Sequence, residues 1–310
     1  MGANTAANEP APPARRWRPR RESVEGFLLI SPWLVGFVVF TAGPMVASFV
    51  LIFLNWEIVT PATWAGLDNI LNMAKDQLFW LALYNTAFYT FIAVPLHVLA
   101  ALILALMMSV QTRGIHYYRL VYYLPSIIPS AASAILWLWV FNPQFGVANE
   151  VLTRLNLPTP LWLTDPAWAK PAFIVMSLWS LGGAMIIFLA GLQGVPQELY
   201  EAARVDGTRW YHELRFITLP MISHVVFFNL ILQLIGSFQV FTASFIMTNG
   251  GPQNATLFLV LYLYRNGFQF FEMGYASAMA WALFAIVLIL TLIQFKVAGR
   301  WVFYEGASKQ

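Results

Sequence analysis

The chain has 310 residues, of which 59% are hydrophobic and only 10% charged; mean hydropathy is +0.66 and the formal net charge +3. Soluble domains carry about 25% charged residues, so 17 basic and 14 acidic side chains are too few to clothe soluble domains of this length. An ordinary soluble enzyme, a disordered protein and a nucleic-acid binder with a basic face are excluded, which leaves a polytopic membrane protein. The absence of cysteine excludes disulfides, thiolate nucleophiles and cysteine metal sites.

Residues 1–21 are rich in Ala, Pro and Arg and predict a disordered basic tail, with residues 22–310 forming the membrane domain. A secretory signal has an apolar core of about 7–15 residues. Here the apolar run from Phe27 to Leu54 is long enough to span a bilayer and predicts an uncleaved first helix. Crossing a ~30 Å hydrocarbon core takes about 20 apolar residues. Six segments qualify: 26–54, 80–110, 118–141, 171–193, 221–247 and 273–298. Pro44, Pro95, Pro125 and Pro129 lie inside these runs and predict kinks, tolerated where neighbours satisfy the freed carbonyls. Residues 57–79 and 142–170 are polar, aromatic, Pro-containing connections. Residues 248–272 begin with the turn-like Gly250-Gly251-Pro252. The apolar stretch Leu257–Leu263 that follows is too short to span and predicts a re-entrant or interfacial helix. The predicted fold class is an all-α polytopic membrane protein of six helices.

Orientation follows from Lys and Arg placement. With the N-terminus cytoplasmic, only Lys75, Arg154, Lys170 and Arg265 of the 17 basic residues fall outside; the other 13, five of them in the tail, fall inside. Both termini are therefore expected in the cytoplasm. Within the six spans, Glu25, Glu272 and Lys296 sit at edges, and His97 and His224 are the ionisable groups nearest the interior. Proton-coupled carriers and voltage sensors need intramembrane charge, and an intramembrane hydrolase needs an acid/base pair or metal cluster. A neutral histidine bonding to a neighbouring helix is the simpler reading of both histidines, and no metal site is expected.

A polar cargo would then be uncharged and matched by hydrogen bonds and aromatic faces. In the fifth span Asn229, Gln233 and Ser237 recur every four residues and share one helix face; Gln239 is a less aligned addition. This stripe either lines a substrate path or holds packed helices together. Trp137, Trp139 and Trp179 could stack on a sugar or serve as packing and interfacial anchors.

Residues 194–220 form the most informative loop. Pro196 suits the first position of a helix, with Gln197 and Glu198 in its first turn, where negative charge is favoured. Glu201, Ala202, Ala203 and Arg204 propagate it, and Gly207, after Asp206, can supply the left-handed residue that ends it. Thr208 would cap a second short helix that stops at Pro220. Ala202 and Ala203 allow close approach by another surface, and Glu201 offers an acceptor to a partner's arginine.

Glu201-Ala202-Ala203, Gly207, Ile217 and Leu219-Pro220, at their spacing, resemble the EAA signature of binding-protein-dependent ABC importer permeases. Gly66-Leu67-Asp68-Asn69, Phe79-Trp80 and Asn85-Thr86 resemble the first outer loop of the carbohydrate-uptake subfamily. Thr248-Asn249-Gly250-Gly251-Pro252 and Gly274-Tyr275-Ala276-Ser277-Ala278-Met279 resemble its last outer loop and last span. The likeness is greatest to the maltose-type sugar or glycerol-phosphate permeases. It implies a type I importer fold in a bacterial or archaeal inner membrane and a coupling helix over 196–207. It further implies a second six-helix permease chain, two cytoplasmic ATPase subunits holding ATP and Mg, and an extracytoplasmic binding protein. Glu201 would pair with an ATPase and Gly207 permit the bend. The cargo would be a di- or oligosaccharide, with glycerol phosphate or a polyol as alternative cargo and a membrane scaffold as alternative function. No Lys follows a Gly in this sequence, so the phosphate-binding Gly-Lys-Ser/Thr motif is absent and no cofactor is expected on this chain.

Overall fold

The computed structural model describes residues 21–110 and 112–303; the tail expected over 1–21, apart from Arg21, lies outside the described residues. The chain divides into two compact units at Val50/Leu51. The first contains α1 (Arg21–Phe37) and runs through a π turn (Val38–Ala42) into α2 (Gly43–Leu51). In the wide turn the Gly43 N–H bonds the Val38 carbonyl, five residues back. Widening the helix just before Pro44 accommodates a ring that has no N–H and would crowd the carbonyl four residues earlier.

The second unit opens with a two-residue antiparallel hairpin, β1 (Leu54–Asn55) and β2 (Thr63–Trp64), with Leu54 opposite Trp64. Then follow α3 (Asp68–Lys75), α4 (Gln77–Ser109), α5 (Ile115–Ile127), α6 (Ser130–Val140), α7 (Val147–Arg154), α8 (Pro166–Ser177) and α9 (Gly182–Gln193). The loop after α9 carries α10 (Gln197–Val205), α11 (Trp210–Glu213) and α12 (Leu219–Met221), and the chain ends with α13 (Ser223–Phe238), α14 (Thr242–Met247), α15 (Leu259–Tyr264) and α16 (Met273–Ala298).

Among the described residues four helical stretches are long and apolar enough to cross a membrane: Glu25–Leu51, Gln77–Ser109, Ser223–Met247 and Met273–Ala298. The expected third and fourth spans are instead bent pairs. α5 and α6 meet at 101°, and α8 with its 3-10 extension meets α9 at 47°. Six spans result only if each pair counts as one. The sharper bend has a local cause: Ile128 is extended (φ −67°, ψ 128°) because the ring of Pro129 disfavours helix in the residue before it. Pro125 stays within α5 and Pro95 within an unbroken α4.

α4, about 50 Å long at 1.5 Å per residue, is the element of the second unit against which α8, α9, α13 and α15 pack. Ala101 and Ala105, both fully buried, let α9 and α13 come close, where Met185, Phe188 and Ile222 fill the core. Small residues at such contacts are the usual means of helix association in lipid. The opposite face of α4 exposes Phe91, Leu99, Ile103 and Met107, as a bilayer-facing surface requires.

The Gln77 end of α4 is fastened by polar side chains. Asp76 caps the helix through the Leu78 N–H (2.8 Å) and accepts from the hydroxyls of Tyr262 (2.5 Å) and Tyr275 (2.6 Å). Asn85 donates to the carbonyls of Asn254 (2.8 Å) and Leu257 (3.2 Å), and Thr86 accepts from the Leu259 N–H (2.9 Å). The apolar stretch 257–263 is therefore laid onto α4. Leu257, Phe258, Leu259 and Leu261 are at most 1% exposed, so this segment is part of the protein's own core and not an interfacial helix. Asn69 reaches back to the Ile52 and Leu54 carbonyls (2.8 and 2.9 Å).

Gly274 sits against this cluster so closely that a Cβ would lie 2.0 Å from the Leu54 carbonyl oxygen; Gly183 has nothing within 4 Å. Gly274→Ala should cost about 1–3 kcal/mol by overpacking and lower the melting temperature in detergent, whereas Gly183→Ala should leave it level or slightly raised. Burial opposes ionisation of Asp76, but the hydroxyls of Tyr262 and Tyr275 and the N–H groups of Leu78 and Phe79 outweigh it and hold the carboxyl below its ordinary 3.8. The stability Asp76 supplies is thus fully present above pH ~4 and is lost as pH falls through the lower folded value. Burial, then the bond to Asp76, push the Tyr262 hydroxyl up to about 12. Thermal melts between pH 3 and 7 should show an acid-side loss that Asp76→Asn removes.

Candidate functional site

Two regions carry the chemistry: the loop between α9 and α13, and a cavity between α4, the α8–α9 bend and α13. The loop lies at the Ser109 end of α4, where Leu106 and Ser109 share a cavity of about 720 Å³ with Gln197, Tyr200 and Arg204. Arg119 closes that end by donating to the Met108 carbonyl (2.6 and 3.1 Å), satisfying a carbonyl the helix leaves free.

α10 is set by its two ends. Pro196 precedes it with φ −58°. At the other end Gly207 adopts φ +72°, its N–H bonds the Arg204 carbonyl (3.0 Å), and the Thr208 N–H bonds that of Ala203 (3.1 Å). This is the paired closure of a Schellman motif. The Thr208 hydroxyl also donates to Ala203 (2.8 Å), so Thr208 finishes α10 and does not cap the next helix; Arg209 stands at that position without a side-chain cap. Nor does the second helix stop at Pro220: α11 continues through a π turn (Leu214–Thr218) into α12, which contains Pro220, and the break falls at Ile222.

The two limbs of the loop are clasped. Tyr200 and Thr218 share a hydroxyl bond (2.9 Å), and Arg204 lies 3.8 Å from Glu213. Ile217 packs against the core formed by α4 and α9. The signature residues thus divide by role. Glu201, Ala202, Asp206 and Gly207 are exposed, and Ala203 joins Asp206, Gly207 and Ile217 along a groove of about 540 Å³. Leu219 and Pro220 are exposed and lie outside that groove. Val205 (88% exposed) and Trp210 (74%) flank the bend at Gly207 and offer apolar contact.

The cavity has a volume of about 240 Å³ and is lined by Gln233, Ser237, Trp179, His97, Ser177 and Ser180, among others. Its lining includes no Asp, Glu, Lys or Arg. Of the stripe predicted on the fifth span, Gln233 and Ser237 reach it. Asn229 is buried one turn away, with its Nδ2 on the Val225 carbonyl of its own helix (3.1 Å), and Gln239 is exposed beyond the end of α13. Trp179 lines the cavity, Trp137 backs it edge-on at 5.9 Å, and Trp139 is 71% exposed. His97 bonds a neighbouring helix as expected, through Nδ1 to the Ser177 carbonyl (3.1 Å). Its place in the cavity wall, like that of Ser177 and Ser180, is not among the sequence-based expectations. The signal for it is the four-residue spacing of Tyr89, Ala93 and His97, all three of which line the cavity.

The first limb of the bent pair expected as the fourth span carries a charge. α8 begins at Pro166, five residues before the expected start at 171, and so includes Lys170. Its Nζ lies 3.0 Å from Asn85 Oδ1 and over the rings of Tyr84 (5.1 Å) and Phe88 (4.9 Å), a partly buried cation matched by an amide and two π faces.

A helical membrane chain with an exposed helix hung between two of its membrane segments has the form of a transporter's membrane subunit. The comparison with known proteins names the kind: the chain belongs to the family described as binding-protein-dependent transport system inner membrane component, which it matches over residues 97–302. It is 40% identical over 295 residues to the probable ABC transporter permease protein YesP of Bacillus subtilis (strain 168), covering 94% of this chain and 95% of that one. It is 33% identical over 286 residues to the lactose transport system permease protein LacF of Rhizobium radiobacter, covering 90% and 95%. Its fold matches a chain in the crystal structure of a bacterial alginate ABC transporter in complex with an alginate pentasaccharide-bound periplasmic protein. There the TM-score is 0.81 at 24% identity, with 93% of this chain and 98% of that one covered.

The Tyr200–Thr218 bond joins the limbs of the loop across 18 residues. Tyr200→Phe should leave the chain folded but loosen α10, raising amide hydrogen exchange over 197–205 by about tenfold, the equivalent of one hydrogen bond. Exchange in α4 should not change.

Proposed function

We propose that this chain is one permease half of an ATP-driven importer whose cargo is a neutral di- or oligosaccharide. The uncharged cavity carries this reading: an amide, hydroxyls and the indole of Trp179 line it without a formal charge. Such a surface suits a sugar, which offers hydroxyls to polar groups and C–H faces to aromatic ones. A phosphorylated cargo would find no cation there, so glycerol phosphate fits less well. The kinship with a lactose permease supports the same class.

In this reading a binding protein outside the membrane delivers the sugar, and a second permease chain completes the path. Two cytoplasmic ATPase subunits hold ATP and Mg and drive it. Both termini lie in the cytoplasm, in keeping with the distribution of Lys and Arg. The α10 helix docks on an ATPase: Glu201 meets a cation of that subunit, Ala202 and Ala203 permit close contact, and Gly207 fixes the bend that joins α10 to Ile217 and the core. Closure of the ATPase pair then pushes α10, and the Tyr200–Thr218 and Arg204–Glu213 contacts pass the displacement to α13.

The test is ATP-dependent uptake of labelled neutral di- and oligosaccharides by the full complex in liposomes. Uptake should need all components, and a complex that carries only charged solutes would refute the reading. Glu201 is exposed and has no side-chain hydrogen bond or ion pair among the described residues. Glu201→Lys should therefore keep the melting temperature while coupled uptake and sugar-stimulated ATP hydrolysis fall about tenfold or more, the scale of a charge-assisted contact replaced by repulsion. Unchanged coupling would remove Glu201 from the docking surface.

A further inference from the structure

The cavity wall holds an acceptor that the protein leaves unmatched. His97 is 6% exposed, and its Nε2 is buried without a hydrogen-bond partner. Its Nδ1 lies 3.1 Å from the Ser177 carbonyl oxygen. A carbonyl only accepts, so Nδ1 carries the proton, and the neutral ring presents a bare lone pair at Nε2. The two nearby serines repeat the pattern. Ser177 donates its hydroxyl proton to the Ile174 carbonyl (2.7 Å), and Ser237 donates to the Leu234 carbonyl (2.8 Å). Their protons are consumed within their own helices, so toward the cavity these groups offer lone pairs. With His97 Nε2 they give the uncharged wall acceptors beside its donors, the Gln233 amide and the Trp179 indole N–H among them; a hydroxyl-bearing ligand matches both, and one lacking a hydroxyl at His97 would leave that acceptor bare, which is costly.

We propose that His97 Nε2 accepts a hydroxyl hydrogen of the cargo and is a specificity-determining residue of this permease, an assignment that rests on the carbohydrate reading above. Tyr89, Ala93 and His97 present one face of α4 to the cavity, opposite Gln233 and Ser237 of α13. A sugar seated on Trp179 would place a hydroxyl against the imidazole, with the Ser177 carbonyl fixing the tautomer from behind.

The experiment uses the reconstituted complex with lactose and maltose as probes, together with monodeoxy derivatives of whichever is taken up. Three variants are compared: His97→Gln, whose amide oxygen can stand where Nε2 stands, His97→Asn and His97→Phe. The expected result is uptake within about threefold of wild type for His97→Gln and lower by about tenfold or more for His97→Asn and His97→Phe. One monodeoxy sugar should be carried equally by wild type and His97→Phe. Equal uptake by wild type and His97→Phe, or an equal fall in all three variants at unchanged melting temperature, overturns the assignment. Nitrogen-15 NMR of histidine-labelled wild-type protein decides it independently of any variant's folding. The proton must sit on Nδ1, and the Nε2 resonance must move when a transported sugar is added; a proton on Nε2, or a fixed resonance, overturns it. If neither sugar is taken up, the carbohydrate reading fails for both probes. The NMR tautomer then still tests His97, with an Nδ1 proton retaining it as an acceptor and an Nε2 proton removing it.

Discussion

Asn85 places all of its side-chain bonds on other segments. Its amide nitrogen holds the carbonyls of Asn254 and Leu257, and its oxygen holds the ammonium of Lys170. Asn85 is 1% exposed, and a buried polar atom left without a partner is costly. The bonds therefore specify geometry as well as add stability. They fix α8 and the 254–259 segment against one end of α4, and Thr86 adds a fourth attachment through the Leu259 N–H. With that end fastened, α4 presents one buried face to α9 and α13 and one exposed face to lipid. The cavity lies beside the bend in the chain after Ser177, between α4 and α13.

Much of this organisation is written in local sequence. The apolar runs find the membrane helices, Gly207 marks the end of α10, and Pro129 marks the place where α5 gives way to α6, although a proline alone does not give an angle of 101°. What escapes a local reading depends on contacts between distant segments. The stretch 257–263 is too short to span, and only the bonds from Asn85 and Thr86, more than 165 residues away in sequence, turn it into core. Lys170 reads as a loop residue until its partners on α4 are known. Thr208 shows the same limit at short range: both the helix behind it and the one ahead could use its hydroxyl, and the Schellman closure at Ala203 takes it.

The polar stripe on α13 shows why periodicity alone could not decide between packing and function. Asn229, Gln233 and Ser237 share a helix face, yet they serve different ends. Asn229 bonds back to Val225 in a fully packed setting, while Gln233 and Ser237 reach open space because α8 turns away opposite them. A four-residue spacing fixes direction around the helix but not depth along it. Depth is set here by the bend between Ser177 and Gly182, where a Cβ on Gly182 would lie 2.5 Å from the Tyr122 carbonyl oxygen. The close approach of α5 to α9 at that glycine holds the bend in place, and with it the wall that carries Ser177, Trp179 and Ser180.

The two ends of α4 consequently differ in kind. At the Asp76 end, buried amides, a carboxylate and two tyrosine hydroxyls close a network whose members hold one another in place. At the Ser109 end the loop packs on the bundle through Ile217 and Tyr200, and its own two limbs are clasped by one hydroxyl pair and by a 3.8 Å ion pair whose arginine is largely exposed. Exposed ion pairs contribute little, with a median of about 0–1 kcal/mol, so this end is the easier one to displace. A load applied to α10 would meet its main resistance at Tyr200 and Thr218 and pass into α12 and α13, the helix that carries Gln233 and Ser237. Of the two ends, the Asp76 end is the one closed by a buried polar network, so in the proposed coupling a push on α10 would be taken up first at the Ser109 end.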